Sequence, residues 1–342
     1  MTSRFGRWSL AVAGVAAAIA SAFVLVHLRS APGSPSAAVA ATAPALAVQD
    51  ASRPPWYGLS LLRDTVSFTP SHAKAPAPAP KITASAGILV DVDTGRILWQ
   101  LNPHERLAPA STIKLLTALV TLHNFDPNKL ITVTPQATSL QWDESRMFLH
   151  PGDRLTVREL LSGLLVASAN DAANTLADDT VGEERFVGAM NAQAQALGLK
   201  DTHATSPVGL DDPGTYSSAF DLATLATEDV RTFPLFREIV SQRGIDLPAS
   251  PLHQELYLSN INLLLGMYPA AVGIKTGYTG NAGPCEVGMA VRNGHRLISV
   301  LLNADLPYGT TKKLLDWGFT VEGLPSQIPP SPSPSPSPSP HH

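Results

Sequence analysis

Apolar residues recur along the middle of this chain in short patterned runs, and those runs predict its elements. Two of them, Gly87 to Val92 and Arg96 to Leu101, flank Asp93-Thr94-Gly95 and read as a β-hairpin. From Pro109 the period changes. Ile113, Leu116, Leu119, Val120 and Leu122 keep helical spacing behind Pro109 and Ser111, residues suited to a helix start, which places Ser111 at the mouth of a buried helix. A short strand over Lys129 to Val133 comes next. Helices are then expected at about Thr156 to Val166 after Gly152-Asp153, at Ala169 to Asp179, at Glu183 to Leu197 with Gly198 as the stop, and at Ser218 to Val230. Three strand-like runs close the pattern: Ala271 to Lys275, Glu286 to Arg292 and Arg296 to Leu302, the last two joined by an Asn293-Gly294 turn. Two early strands, a helical middle and three late strands predict an α+β fold, with an antiparallel sheet of about five strands flanked by helices and a helical subdomain.

The two ends have a different character. Arg4 and Arg7 precede an unbroken apolar or small-residue run from Leu10 to Val26, followed by His27 and Arg29, so residues 1–29 read as a membrane anchor or a secretory signal. The small-residue site Ala20-Ser21-Ala22 is followed by the still apolar Phe23-Val24-Leu25-Val26, which favours an uncleaved single span at the cell membrane; secretion after signal cleavage is the alternative. The upstream arginines place everything after Arg29 outside the cytoplasm. Of 30 prolines, nine fall between residues 31 and 80 and eight from Pro325 onward. Residues 30–80 are therefore expected to be an Ala/Pro-rich disordered spacer and 323–342 a Ser-Pro-rich disordered tail, leaving 81–322 as one domain. Within the spacer, Trp56, Tyr57, Leu59, Leu61 and Leu62 form an apolar island that docks on either the domain or the membrane.

Charge narrows the functions. The chain carries 24 basic and 28 acidic residues without a basic block, which argues against nucleic-acid binding. Cys285 is the only cysteine, so no intramolecular disulfide forms and a small buried hydrophobe is expected there. No zinc-ligand spacing such as H-E-x-x-H occurs, and no metal or cofactor is called for.

Candidate chemistry begins with Ser111-Thr112-Ile113-Lys114. A lysine three residues after a serine lies almost one turn along the same face, within reach of its hydroxyl, and becomes a proton acceptor where burial lowers its pKa. Alone, this tetrapeptide also fits an ordinary helix start with a solvated lysine. Two further tripeptides follow, Ser168-Ala169-Asn170 at 57 residues and Lys275-Thr276-Gly277 at 164 residues beyond Ser111. Singly, the first suits a helix cap and the second a strand end.

Together, S-x-x-K, S-x-N and K-T-G in this order are the signature of penicillin-recognising serine enzymes. The surrounding residues Ala108 to Leu119, Leu164 to Ala173, Gly209 to Gly214 and Val272 to Thr279 closely resemble the low-molecular-mass D-alanyl-D-alanine carboxypeptidases, the S11-like serine peptidases, over about Ile82 to Phe319. The resemblance implies a β-lactamase/transpeptidase-like fold and a serine carboxypeptidase that removes the terminal D-alanine from peptidoglycan stem peptides ending in D-Ala-D-Ala, with β-lactam antibiotics as inhibitors. It implies Ser111 as nucleophile, Lys114 as its base, Ser168 as proton relay to the leaving amine, and Asn170 as the holder of Lys114 and the substrate amide. Lys275 would be a cation that keeps Lys114 neutral, Thr276 would bind the substrate carboxylate, and Gly277 would let the Tyr278 N–H join that of Ser111 in an oxyanion hole.

There are departures. Phe220 stands in Ser217-Ser218-Ala219-Phe220-Asp221 where relatives often have a basic residue, so a charge contact near the site is expected to be missing. The β-rich domain and amphipathic membrane helix that follow the catalytic domain in some relatives have no counterpart, which leaves the amino-terminal segment as the expected membrane contact. Two alternatives share the fold: a D,D-endopeptidase acting on cross-links, and a β-lactamase. Between Leu199 and Thr215 there is no glutamate to activate a deacylating water, which argues against the β-lactamase.

Overall fold

The structure, a computed structural model, describes residues 61–62, 66–72 and 75–328. Among these, the strands are β1 (Thr69–Pro70), β2 (Ala84–Asp91), β3 (Arg96–Leu101), β4 (Leu130–Thr132), β5 (Arg154–Thr156), β6 (Gly244–Leu247), β7 (Leu256–Ser259), β8 (Ala271–Thr279), β9 (Gly283–Arg292) and β10 (His295–Ala304). The helices are α1 (Lys114–Asn124), α2 (Val157–Val166), α3 (Asn170–Asp178), α4 (Glu183–Ala196), α5 (Ala219–Thr232), α6 (Pro234–Val240), α7 (Leu264–Met267) and α8 (Pro307–Val321).

Six strands form the main sheet in the order β1-β3-β2-β10-β9-β8. The five expected strands are all present and antiparallel to their neighbours; the sixth, β1, is short and runs parallel to β3. β2 and β10 lie at the centre, and Ile88, Leu89, Val90, Ile298, Val300 and Leu301 are fully buried because helices cover both faces. On one face α5 packs against β2 and β10, and α1 packs against α5. On the other, Leu314, Leu315 and Phe319 of α8 meet Leu89, Leu297 and Leu301. The β9–β10 turn uses Asn293 and Gly294 at φ 49° and 86°, the left-handed pair a two-residue hairpin requires.

Helices α2 to α4 make the helical part beside the sheet. Thr156 and Glu159 form a capping box at the start of α2, and the Ser218 hydroxyl accepts from the Asp221 N–H at the start of α5, so both beginnings are fixed by local chemistry. The expected helix at Ser111 begins differently: Ala110–Ile113 is a 3₁₀ turn, and the α-helix proper opens at Lys114.

The expected boundaries need correction at both edges of the domain. Thr69–Pro70 adds a strand to the sheet, Phe68 is buried, and Trp317 donates its indole N–H to the Ala77 carbonyl at 2.9 Å, so much of 66–80 is tied to the domain instead of serving as spacer. Leu62 settles against the core, and its backbone is clamped by Gln193, which accepts from its N–H at 2.8 Å and donates to its carbonyl at 2.9 Å. Of the apolar island, Trp56, Tyr57 and Leu59 lie outside the described residues. At the other edge, the Gln327 N–H donates to Asp316 at 2.9 Å, carrying the domain past residue 322. The run from Leu10 to Val26 also lies outside the described residues. Among the described ones, no helix is long and apolar enough to cross a membrane.

Candidate active site

Ser111 sits in the 3₁₀ turn, immediately after Ala110, which is held at φ 48°. Lys114 follows as the first residue of α1 and is fully buried, with Nζ 2.9 Å from Ser111 Oγ. The same Nζ donates to Asn170 Oδ1 at 2.7 Å and to the Val208 carbonyl at 3.0 Å. Burial pushes the Lys114 amine down to about 7, against the opposing fields of Glu144 and then Asp171. A lysine so placed takes up a proton and gives it back near neutral pH, as a general base must.

The second motif is bent to face this pair. Ser168 is buried at φ 58°, Ala169 is extended, and α3 starts at Asn170. Ser168 Oγ accepts from Lys275 Nζ at 2.8 Å, and that amine also donates to the Thr276 carbonyl at 2.8 Å. Gly277, two residues along β8, lies against the nucleophile's turn. A Cβ at this position would stand 2.8 Å from Ser111 N and 3.0 Å from Thr112 N, so only glycine permits the approach. The structure therefore gathers Ser111, Lys114, Ser168, Asn170, Lys275 and Gly277 at one place.

Thr276 and Tyr278 stand apart from that cluster. The Tyr278 ring is 60% exposed at the rim. Thr276 pairs in register with Glu286, its side chain lies beside Tyr308 of α8, and its carbonyl accepts from Lys275. Cys285 is buried and unpaired, and burial raises its thiol to about 11, as suits a packing residue.

Lys275, expected as a cation, has neutral oxygens as hydrogen-bond partners, and its pKa is pushed down, by burial first and by Lys114 second. The anionic fields of Glu144 and Asp171 fall on Lys114. The Phe220 ring lies 4.6 Å from that of His104 and edge-on to Phe68 at 5.8 Å.

Other residues of the site were not singled out from sequence. Glu144 accepts from Asn170 Nδ2 at 2.6 Å. Asp171 accepts from the N–H groups of Met147 and Leu149, at 3.0 and 3.1 Å, and so folds the loop that carries Glu144. Gly209, at φ 82°, lets the Val208 carbonyl reach Lys114; a Cβ there would stand 2.2 Å from the Ala110 carbonyl oxygen. Asp211 accepts from the Thr279 hydroxyl and from the Asn281 N–H, tying this loop to the end of β8. The run Gly209 to Gly214 and the Asn170-Asp171 pair carried a signal in the resemblance; Glu144 carried none.

Residues 72–306 match the peptidase S11 family, described as D-alanyl-D-alanine carboxypeptidase. The chain is 38% identical over 257 residues to the D-alanyl-D-alanine carboxypeptidase DacB2 of Mycobacterium tuberculosis, covering 71% of this chain and 85% of that one. It is 36% identical over 248 residues to DacF of Bacillus subtilis, covering 69% and 62%. The chain thus spans about three-fifths of the Bacillus relative's length. Among solved structures, a D-alanyl-D-alanine carboxypeptidase from Mycobacterium tuberculosis superposes with a TM-score of 0.67 at 36% identity, over 71% of this chain and 94% of that one. The Streptomyces K15 DD-transpeptidase superposes with a TM-score of 0.67 at 30% identity, over 71% and 100%.

Proposed function

Since the chain belongs to the D-alanyl-D-alanine carboxypeptidase family of serine peptidases, we propose that it removes the terminal D-alanine from peptidoglycan stem peptides ending in D-Ala-D-Ala, and that β-lactams acylate the same serine. The observation that carries this reading is the buried Lys114 amine 2.9 Å from Ser111 Oγ, with an affinity for protons brought down to about 7.

Ser111 Oγ attacks the carbonyl of the penultimate D-alanine while its proton passes to Lys114 Nζ. The oxyanion forms beside the N–H groups of Ser111 and Tyr278, which Gly277 allows to converge. Ser168 passes its proton to the leaving nitrogen and regains one from Lys114, the C–N bond breaks, and free D-alanine departs. Water then attacks the Ser111 ester, its proton passing to the again neutral Lys114, which hands it to Ser111 Oγ as the shortened peptide is released. The substrate's terminal carboxylate supplies the negative charge that Lys275 lacks among its protein partners. Its arrival favours the charged form of Lys275, whose field in turn helps to keep Lys114 neutral.

The arginine-flanked apolar run from Leu10 to Val26 supports a domain outside the cytoplasm, tethered by that run or exported on it. The test is covalent and positional. The chain incubated with penicillin is expected to gain one penicilloyl group on Ser111, located by peptide mass spectrometry and lost in Ser111→Ala, and to release D-alanine from a pentapeptide. An adduct on Ser168 would overturn the assignment of the nucleophile. Cleavage of a cross-linked dimer without D-alanine release would make the protein an endopeptidase.

A further inference from the structure

Glu144 lies in the loop between β4 and β5, two residues after the exposed Trp142 and outside all three sequence motifs. Its carboxylate is held at both oxygens: Oε1 accepts from the Gln141 N–H at 2.9 Å and Oε2 from Asn170 Nδ2 at 2.6 Å. Asn170 then turns its Oδ1 to Lys114 Nζ at 2.7 Å. We infer that Glu144 is a positioning residue for acylation, which orients the lysine base through Asn170 and tunes it by its charge.

Hydrogen-bond counting supports the first half. A neutral amine has two N–H donors and one lone pair. Asn170 Oδ1 and the Val208 carbonyl are both acceptors only, so they take the two donors and leave the lone pair for the Ser111 hydroxyl. This distribution requires that Asn170 present its oxygen to Lys114. A side-chain amide can be reversed about its terminal bond, and the reversed form would aim an NH₂ at Lys114 and compete with Ser111 for the lone pair. Glu144 excludes that form, because a carboxylate accepts from an NH₂ and offers nothing to a carbonyl oxygen.

The second half follows from the charges that face Lys114. They are Glu144 from the β4–β5 loop, Asp171 from α3 and Lys275 from β8; Ser111, Asn170 and the Val208 carbonyl are neutral. Glu144 acts on the amine more strongly than Asp171, whose oxygens are taken by the N–H groups of Met147, Leu149 and Ala172. On the loop itself, Arg146 is turned to the Glu144 backbone carbonyl at 3.2 Å. Removing the Glu144 charge leaves Lys114 with less reason to hold a proton, so the base becomes available at lower pH.

This assignment rests on the acylation chemistry proposed above, and one experiment separates the two. Single-turnover acylation by a fluorescent penicillin is followed from pH 5 to 9 for the full chain, Glu144→Gln and Glu144→Ala. Glu144→Gln loses the charge and keeps one acceptor oxygen for the two donors Gln141 N–H and Asn170 Nδ2. Its acid limb is expected to move down by at least about half a pH unit, with a plateau above that of Glu144→Ala. Glu144→Ala also releases Asn170, and its plateau is expected to fall by about tenfold or more in addition to the shift. A loosened loop would lower the plateau without moving the limb. A Glu144→Gln limb lying on the wild-type limb refutes the tuning role, and an undiminished Glu144→Ala plateau refutes the positioning role. A wild-type chain that gains no adduct on Ser111 refutes the proposed chemistry, and with it any part played by Glu144.

Discussion

Replacing Glu286 by glutamine should stabilise the protein, by an amount that grows with pH. Glu286 lies on β9 with no exposed surface, and neither carboxyl oxygen accepts a hydrogen bond of ordinary geometry; the Thr311 hydroxyl gives the only relief. Burial raises its pKa from 4.5 to about 8. The sign follows from linkage. Below 4.5 the folded and unfolded chains both hold the proton, and Glu286 has no pH-dependent effect. Between 4.5 and about 8 the unfolded chain ionises while the folded one does not, so stability falls as pH rises, levelling off above about 8. At about 1.4 kcal/mol per pH unit, the loss is on the order of 3 kcal/mol at pH 7 and 5 kcal/mol at the plateau. Glutamine keeps the shape but cannot ionise, so the variant should match the wild type near pH 5 and exceed it by roughly 5–10 °C in melting temperature at pH 7. Thermal unfolding from pH 5 to 9 measures the difference. A gap between the two proteins that does not widen with pH would show that Glu286 is not held protonated in the folded state, and the reasoning would fail.

Two further outcomes probe the site. Lys114→Arg keeps a positive charge but has no usable base, and its acylation by penicillin should fall by at least about 100-fold at every pH from 6 to 10; Lys275→Arg retains a cation for the substrate carboxylate and should lose less. For the unmodified chain, the acylation rate should rise with pH through about 7, where Lys114 gives up its proton. Stopped-flow rates decide both, and equal damage in the two arginine variants would require the roles to be reassigned. Gly277→Ala sets a methyl 2.8 Å from Ser111 N, which forces β8 away from the nucleophile's turn. Acylation should fall by more than about tenfold with little change in melting temperature, and an unimpaired variant would show that the close approach does not matter.

What the sequence revealed depended on how locally each feature is encoded. The Ser111–Lys114 pair is one turn of chain, and the helix start at Thr156 and the Asn293-Gly294 turn are fixed within four residues, so all three were readable. The other elements were hidden for identifiable reasons. Helix α8 starts after Leu306, a left-handed residue without a side-chain cap, so Pro307 in its first turn is the sole local start signal. Strand β1 has two residues, one of them proline, and exists because β3 offers it a parallel edge. The β6–β7 hairpin encloses eight residues with no two-residue turn to announce it. In the site, Lys275 and Ser168 were legible as types but not as a pair, since 107 residues separate them.

The electrostatics were less legible than the geometry, and Lys275 shows why. As a residue type lysine implies a cation, and the reading from sequence gave it that role beside Lys114. The fold surrounds it instead with the Ser168 hydroxyl and the Thr276 carbonyl, while the anionic fields of Glu144 and Asp171 fall on Lys114. Two buried amines that repel each other do not both hold protons readily near neutral pH. Under the proposed reaction, a carboxylate beside the scissile amide pairs with Lys275 and favours its charged form, which lowers the proton affinity of Lys114. A substrate amidated at its terminal carboxyl would bring no such charge, and Lys114 would keep the higher proton affinity of the free site. The preference for a free carboxyl terminus then appears in the acylation step itself, as a base freed at lower pH when the correct anion is bound, and acylation by an amidated substrate whose acid limb lay on that of the free acid would refute it.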